Sequence, residues 1–297
     1  MQKILKIFLP NNWVPYIMHM RPRGWPILSG HLTIGFFLAA GLQISLTQWI
    51  DLFLAAFTWS VLGNGGTLAL NSAFDKDEGD IGYLDNPPEI PKHLVRFSLI
   101  CMFLGIPISA LINRTFFLAY LALVIMSILY SVPPIRLKAR AGWDVLINSV
   151  GYGSLTIFAG WSAANAGFKP PILIVLICFF ILFTGAYPLT QIYQIKEDKA
   201  RGDNTFAVAL GKRRALLLSI CAMIVGLLII FIPVTRSNAG IRAIGIPLAA
   251  ISWLLILIPW YRKFDQVDEK YEKKGFYKAT YAWALTDLAI VLALMPI

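Results

Sequence analysis

Apolar residues run in blocks of about twenty along the whole chain, parted by short polar segments. Nine such blocks lie at 27–47, 51–73, 94–112, 115–132, 144–164, 171–193, 214–234, 241–261 and 278–296. Each approaches the roughly 20 residues that an α-helix needs to cross a bilayer. Only Asn113 and Arg114 part the third block from the fourth. Gly63, Gly65, Gly66, Pro107, Pro188 and Pro247 fall inside blocks. Membrane helices accommodate such residues where neighbouring helices re-satisfy the backbone. The pattern therefore predicts an all-α, polytopic membrane bundle of about nine transmembrane helices, forming one domain over 1–297. Residues 1–25 differ, mixing Lys3, Lys6, Arg21 and Arg23 with Ile, Leu, Phe and Trp, and read as an interfacial segment. Lys6 and Pro10 interrupt this stretch, so it does not read as a cleaved signal.

Composition strengthens this picture. The chain is 58% hydrophobic and 14% charged, against roughly 25% charged in soluble domains. The deficit is spread over the whole length, which excludes a soluble domain on an anchor. The net charge of +10 points to basic membrane loops and not to nucleic acid, because alternate loops carry nearly all of it. Only Arg114, Lys169, Arg236 and Arg242 fall on the opposite side. This asymmetry predicts a multi-pass protein of the cell membrane with a cytoplasmic N-terminus and an outer C-terminus. The acids sort the same way, apart from Asp51 and the intramembrane Asp287. The cytoplasmic loops are also the long ones, which suits a cap over an opening. Cys101, Cys178 and Cys221 lie in apolar blocks without metal-ligand spacing.

Against this apolar background, acids and amides gather twice, each time at the end of a block. Asn64, Asn71 and Asp75 are seven and four apart and share one helical face. Asn71 and Asp75 thus stand one turn apart, about 6 Å along the axis. Tyr187, Gln191, Gln194 and Asp198 form a second stripe, with Glu197 off it. Polar groups inside membrane segments are costly and mark function, whereas Asp77 and Glu78 read as a solvated helix end. Asp203, in Gly202-Asp203-Asn204, is open between a turn role and a site role. Asp287 is open between a functional and a structural role and stays outside the site set.

Oxygen ligands of this kind suit Mg²⁺, which holds phosphates through one or two carboxylates. Between the clusters, Tyr130-Ser-Val-Pro-Pro-Ile-Arg136-Leu-Lys138 ends a block at two prolines and then presents two cations. Arg grips phosphate oxygens in a fork and Lys acts as a point charge. Acidic clusters and a cationic loop together read as a metal–diphosphate site on the cytoplasmic side. If an allylic cation forms there, the rings of Tyr130 and Tyr187 are placed to stabilise it.

At these residues the chain resembles the UbiA superfamily of intramembrane prenyltransferases. The family's Asn-x-x-x-Asp-x-x-x-Asp motif maps onto Asn71 and Asp75, with its third position on Gly79 and Asp80 one residue later. The Tyr-Ser-x-Pro-Pro-x-Arg-x-Lys segment is Tyr130 to Lys138. The Asp-x-x-x-Asp and Gly-x-x-Thr motif maps onto Gln194, Asp198, Gly202 and Thr205. Both acidic motifs depart from the pattern, at Gly79 and Gln194. The resemblance implies a bundle around a central cavity, open laterally to membrane lipid, that binds a polyprenyl diphosphate through Mg²⁺. It implies Asn71, Asp75, Asp80, Gln194 and Asp198 as metal ligands, and Asp75, Asp198, Arg136, Lys138 and Tyr130 as catalytic. The expected activity is transfer of a prenyl group to a hydrophobic acceptor with release of diphosphate. No charged cavity group visible in the sequence calls for an acidic acceptor, which favours a polyene. The alternative is a terpene cyclase on the same scaffold, needing no acceptor. A transporter or non-enzymatic binder is a third reading, which predicts no diphosphate release.

Overall fold

The computed structural model describes residues 7–76, 79–167, 172–237 and 239–296. In chain order the principal helices are α1 (Val14–His19), α2 (Trp25–Ala40), α3 (Leu46–Asp75), α4 (Leu94–Ile112), α5 (Arg114–Ser131) and α6 (143–163). They continue as α7 (Ile172–Ala200), α8 (Phe206–Leu210), α9 (Lys212–Arg236), α10 (Gly245–Arg262) and α11 (Glu269–Leu294). No β-strand forms among the described residues; pairing there is confined to isolated bridges.

Local chemistry sets the helix starts. Ser45 and Gln48 form a reciprocal capping box at α3: the Gln48 N–H donates to Ser45 Oγ (3.3 Å) and the Ser45 N–H to Gln48 Oε1 (2.9 Å). Asn113 separates α4 from α5 because its extended backbone stops one helix. Its side chain also accepts the Phe116 N–H (2.8 Å) to start the next. Asp268 caps α11 in the same way through the Tyr271 N–H (2.8 Å).

Helices occupy all nine apolar blocks. Among the described residues, six are long and apolar enough to cross a membrane: α3, α4, α5, α7, α9 and 240–262, which contains α10. The other three blocks fall short for physical reasons. Helix α2 has 16 residues. Helix α6 is diluted by Asp144, Asn148, Ser149 and three glycines, and α11 carries Lys278 and Asp287. Large apolar side chains point outward over the bundle, including Phe53, Leu111, Leu228 and Leu255. That is the arrangement of helices solvated by lipid.

Two large hydrophobic clusters make most of the interior. One joins α2 to α6, and the other joins α7, α9, α10 and α11. Helices α2 and α6 cross at backbone contact. A side chain at Gly35 would meet the Ile157 carbonyl at 2.0 Å, and one at Gly160 would meet that of Leu32 at 1.9 Å. Small residues allow this approach in membrane bundles. Between the clusters lies a cavity of about 300 Å³. Its walls include two π-helical segments, Phe57–Gly65 within α3 and Ser149–Leu155 within α6. Such segments recur at functional sites. They are pinned together by Tyr152, which donates to Asn64, and by Trp59 Nε1, which donates to Thr156 Oγ1 (3.1 Å).

Candidate active site

Three segments meet at one end of the cavity: the last turn of α3, residues 132–142, and the end of α7 with residues 201–205. Asp144 fixes their arrangement. It is fully buried and accepts the N–H groups of Gly142 (2.9 Å), Val145 (2.9 Å) and Phe206 (2.7 Å), and Nε2 of Gln191 (2.8 Å). One carboxylate thus ties the start of α6, the end of α7 and the start of α8. The Asn204 N–H donates to the Ala139 carbonyl (3.1 Å), laying the 201–205 loop along 137–140. Helix α7 tightens into a 3₁₀ turn at Ile192–Gln194 before resuming.

The charged residues then form an alternating ladder, Lys138–Asp75–Arg136–Asp203–Arg201–Asp198. Lys138 Nζ donates to Asn71 Oδ1 (3.0 Å) and pairs with Asp75. Arg136 donates to Asp75 (3.1 Å) and, through both terminal nitrogens, to Asp203. Arg201 reaches Asp203 (3.1 Å) and Asp198 (2.5 Å), and Thr205 Oγ1 donates to Asp198 (3.1 Å). All three carboxylates are buried. Three cations balance three anions, so the ladder is neutral as it stands, which is how buried charge is tolerated. Arg136 reaches this position from a left-handed backbone (φ 37°). A non-glycine residue there costs about 1–3 kcal/mol, and such strain clusters at ligand sites.

Asn71, Asp75, Tyr130, Lys138, Gln194 and Asp198 all line the cavity, while Arg136 stands behind Asp75. Tyr130 hydrogen-bonds Tyr187 (2.8 Å), and Tyr187 accepts from Gln191 Nε2 (3.2 Å). Deeper in, Phe183 stacks against Tyr152 with centroids 5.3 Å apart. Asp80 is not brought to this group. Its carboxylate accepts from Lys273 (2.6 Å) and the Asn86 N–H (2.8 Å) in the loop outside. That loop closes the cavity's open end: Ile81, Gly82 and Tyr83 line it, and Asp85 binds both Lys273 (2.6 Å) and Arg23 (2.8 Å). Lys273 holds both carboxyls below the usual Asp range.

Sequence reasoning missed Arg21. It is buried, lines the cavity, and also sits in left-handed backbone (φ 52°). It donates to Ser72 Oγ (3.4 Å) and the Gly82 carbonyl (3.5 Å), and its Nε has no partner. Among the described residues no carboxylate pairs with it. A buried guanidinium with only neutral acceptors has donor capacity left for an anion. Its position in a basic N-terminal segment hid it among topology charges.

The oxygen donors suit a hard cation. Among the described residues no three acids, histidines or cysteines converge on one point, because cations stand between the carboxylates. A Mg²⁺ ion held by one or two carboxylates and completed by phosphate oxygens fits this donor set. The model of the UbiA prenyltransferase family matches residues 25–283. The chain belongs to the UbiA prenyltransferase family. It is 29% identical over 202 residues to a lycopene elongase/hydratase of Haloferax volcanii, covering 65% of this chain and 64% of that protein. The match thus spans just under two thirds of the relative's length. Its fold is that of a UbiA homologue from Archaeoglobus fulgidus solved with DMAPP and Mg²⁺ (TM-score 0.71, 20% identity, 93% of this chain and 98% of the other). A digeranylgeranylglyceryl phosphate synthase structure is similar too (TM-score 0.66, 17% identity, 96% and 99%).

One UbiA departure now has a spatial setting. At Gly79, where the family motif carries a carboxylate, a side chain would meet Glu197 Oε1 at 2.2 Å. The Glu197 carboxylate, from the second motif, lies against that gap.

Proposed function

We propose that this UbiA chain is a Mg²⁺-dependent prenyltransferase. It moves a prenyl group from a polyprenyl diphosphate to a hydrophobic, polyene-like acceptor within the membrane and releases diphosphate. The observation that carries the reading is the pairing of two features in one cavity. The neutral charge ladder and the unpaired Arg21 sit at its mouth, and an aromatic, otherwise apolar wall lies behind them.

Asn71, Asp75, Gln194 and Asp198 would hold the ion, which supplies the positive charge that eases departure of diphosphate. Lys138 and Arg136, released from Asp75, neutralise phosphate oxygens, and Arg21 gains the anion it lacks. The rings of Tyr130, Tyr187 and Phe183 face the allylic carbon as charge develops on it. The Tyr130–Tyr187–Gln191 chain holds those rings in register. Arg21 adjoins Ser72, beside Asn71, so it belongs with the diphosphate, and a mostly apolar lining with uncharged groups such as Asn64 and Thr67 is left for the acceptor. The excess of Lys and Arg in the loops on this side supports a cytoplasmic mouth and N-terminus.

The test is a product profile by mass spectrometry. Purified protein is incubated with a prenyl diphosphate and Mg²⁺, with and without a polyene. A prenylated polyene formed only when both are present supports the proposal. A cyclic hydrocarbon or alcohol formed without acceptor overturns it in favour of a cyclase.

A further inference from the structure

Helices α9 and α10 carry charge that neither the cavity nor the fold uses. Lys212, Arg213 and Arg214 occupy the first turn of α9, behind Gly211, which supplies no side-chain cap. Cations at a helix N-terminus oppose its macrodipole, so they do not stabilise α9. Arg262 ends α10, and Lys263 follows it. Lys212 is answered by the buried Glu272 of α11 (2.5 Å). Arg213 is held differently. Its Nε donates to the Tyr261 hydroxyl (3.3 Å), and its guanidinium carbon lies 5.9 Å from the Tyr261 ring centroid and 5.8 Å from that of Phe264. The two rings fix the plane of the fork while the side chain stays exposed, which leaves its terminal nitrogens available. Among the described residues no carboxylate pairs with Arg213, Arg214, Arg262 or Lys263. The acids of the adjoining turn are used or outnumbered. Asp268 caps α11, Glu269 pairs with Lys196 (2.7 Å), and Asp265 stands against those four cations.

Along the membrane these charges continue into apolar stripes. Arg213, Leu217, Cys221, Ile224 and Leu228 follow i, i+4, i+8, i+11, i+15 spacing, one face of α9, and all five are exposed. Leu248, Ile251, Leu255 and Arg262 share one exposed face of α10 in the same way. Each stripe is an apolar run crowned by an arginine. The Arg213–Tyr261 bond ties the two crowns together, because Tyr261 adjoins Arg262. A free anion would use the cations and not the stripes. A ligand that matches both has a negative head and two long apolar chains. We propose that α9 and α10 form a binding site for an anionic diacyl phospholipid. Its phosphate lies in the Arg213 fork beside Arg262 and Lys263, and its chains lie along the two stripes. Basic clusters at the ends of membrane helices attract anionic headgroups. A topological excess of charge alone does not require a stacked, hydrogen-bonded arginine. A zwitterionic headgroup brings an ammonium that this net-positive patch repels. The site stands apart from the catalytic cavity, whose lining takes no residue from α9, and does not rest on the prenyl-transfer reading.

The test is lipid binding by the full chain in detergent micelles, counted by native mass spectrometry. Dioleoyl phosphatidylglycerol, the matching phosphatidylcholine and glycerol 1-phosphate are titrated separately. Phosphatidylglycerol should bind about tenfold or more tightly than phosphatidylcholine, and glycerol phosphate should not bind in the same range. Arg213→Ala should weaken phosphatidylglycerol about fivefold or more, the share of one interfacial cation. Arg213→Lys and Tyr261→Leu keep every charge, yet each should weaken it about threefold or more, because the fork or its stacking is lost. Arg96→Ala removes an exposed cation from the start of α4, at the same end of the bundle, and should change the affinity less than about twofold. Circular dichroism checks that each variant keeps its helices. Equal affinity for the two phospholipids, equal losses in Arg213→Ala and Arg96→Ala, or wild-type binding by the folded charge-keeping variants would overturn the site and leave diffuse surface charge. Glycerol phosphate binding as tightly as phosphatidylglycerol would overturn the lipid in favour of a soluble phosphate.

Discussion

Arg136→Gln isolates what the charge ladder does, because it predicts two effects of opposite sign. Arg136 lies between Asp75 and Asp203, and each keeps a second cation, Lys138 or Arg201, when it is removed. The fold should therefore survive, while the ladder passes from neutral to one net negative charge. A divalent ion about 6 Å from that uncovered charge gains about 1.4 kcal/mol at the dielectric of water. Binding of Mg²⁺ alone should therefore tighten about tenfold. Catalysis should move the other way. In the proposed role Arg136 leaves Asp75 for a phosphate oxygen, and losing such a donor costs about 10²–10³ in kcat. Calorimetric titration of Mg²⁺ without substrate gives the first number, and pyrophosphate release at saturating Mg²⁺ gives the second. A variant with unchanged metal affinity and kcat within about threefold of wild type, a difference under 1 kcal/mol, would refute the reasoning. Arg136 would then be a purely structural clasp.

Further outcomes follow from the same geometry. Asp75→Ala and Asp198→Ala should each abolish turnover with the helical content retained by circular dichroism; near-wild-type rates in either would remove it from the metal site. Gln194→Asp should lower the Mg²⁺ concentration for half-maximal activity, whereas an unchanged requirement with reduced stability would place Gln194 outside the ion's reach. Gly79→Asp should not improve metal use, because the new carboxylate meets that of Glu197; a lower Mg²⁺ requirement would contradict this. The loop latch should open in acid. The Asp80 and Asp85 carboxyls are held below their unfolded value by Lys273, so their contribution is present above about pH 4 and is lost as pH falls through the folded values. Proteolysis of the 79–93 loop should rise over that fall, and Lys273→Met should already show the higher rate at neutral pH.

Much of this was legible in the residues because the signals are local. Apolar block length gave the helices, and i, i+4 and i, i+7 spacing gave the stripes that bring Asn71, Asp75, Gln194 and Asp198 to one cavity. Other features depend on packing between distant segments. Asp80 reads as a ligand from its neighbours in sequence, but Lys273, from α11, draws it outward. Gln191 lies on the predicted stripe, yet Asp144 and the Ala207 N–H engage its amide. Gly-Asp-Asn is turn chemistry in sequence, and only the fold brings Arg136 and Arg201 together on Asp203. His31 and Asp287 are hydrogen-bonded (2.8 Å) across 256 positions, and no periodicity links them. That six of the nine helical blocks, among the described residues, reach the length and apolarity of a spanning helix has a similar source. Helix α2 is short, and α6 and α11 carry polar residues such as Asp144, Asn148 and Asp287 that face the interior.

Prenyl transfer driven by departure of diphosphate ties two products together. The most direct measurement is the stoichiometry of pyrophosphate released to prenyl units gained by a polyene acceptor, with Mg²⁺ present and after chelation. One pyrophosphate should appear per prenyl unit added, and neither product after chelation until Mg²⁺ is restored. Pyrophosphate release that persists undiminished after chelation, or that proceeds with no prenyl unit joined to the acceptor, would contradict it.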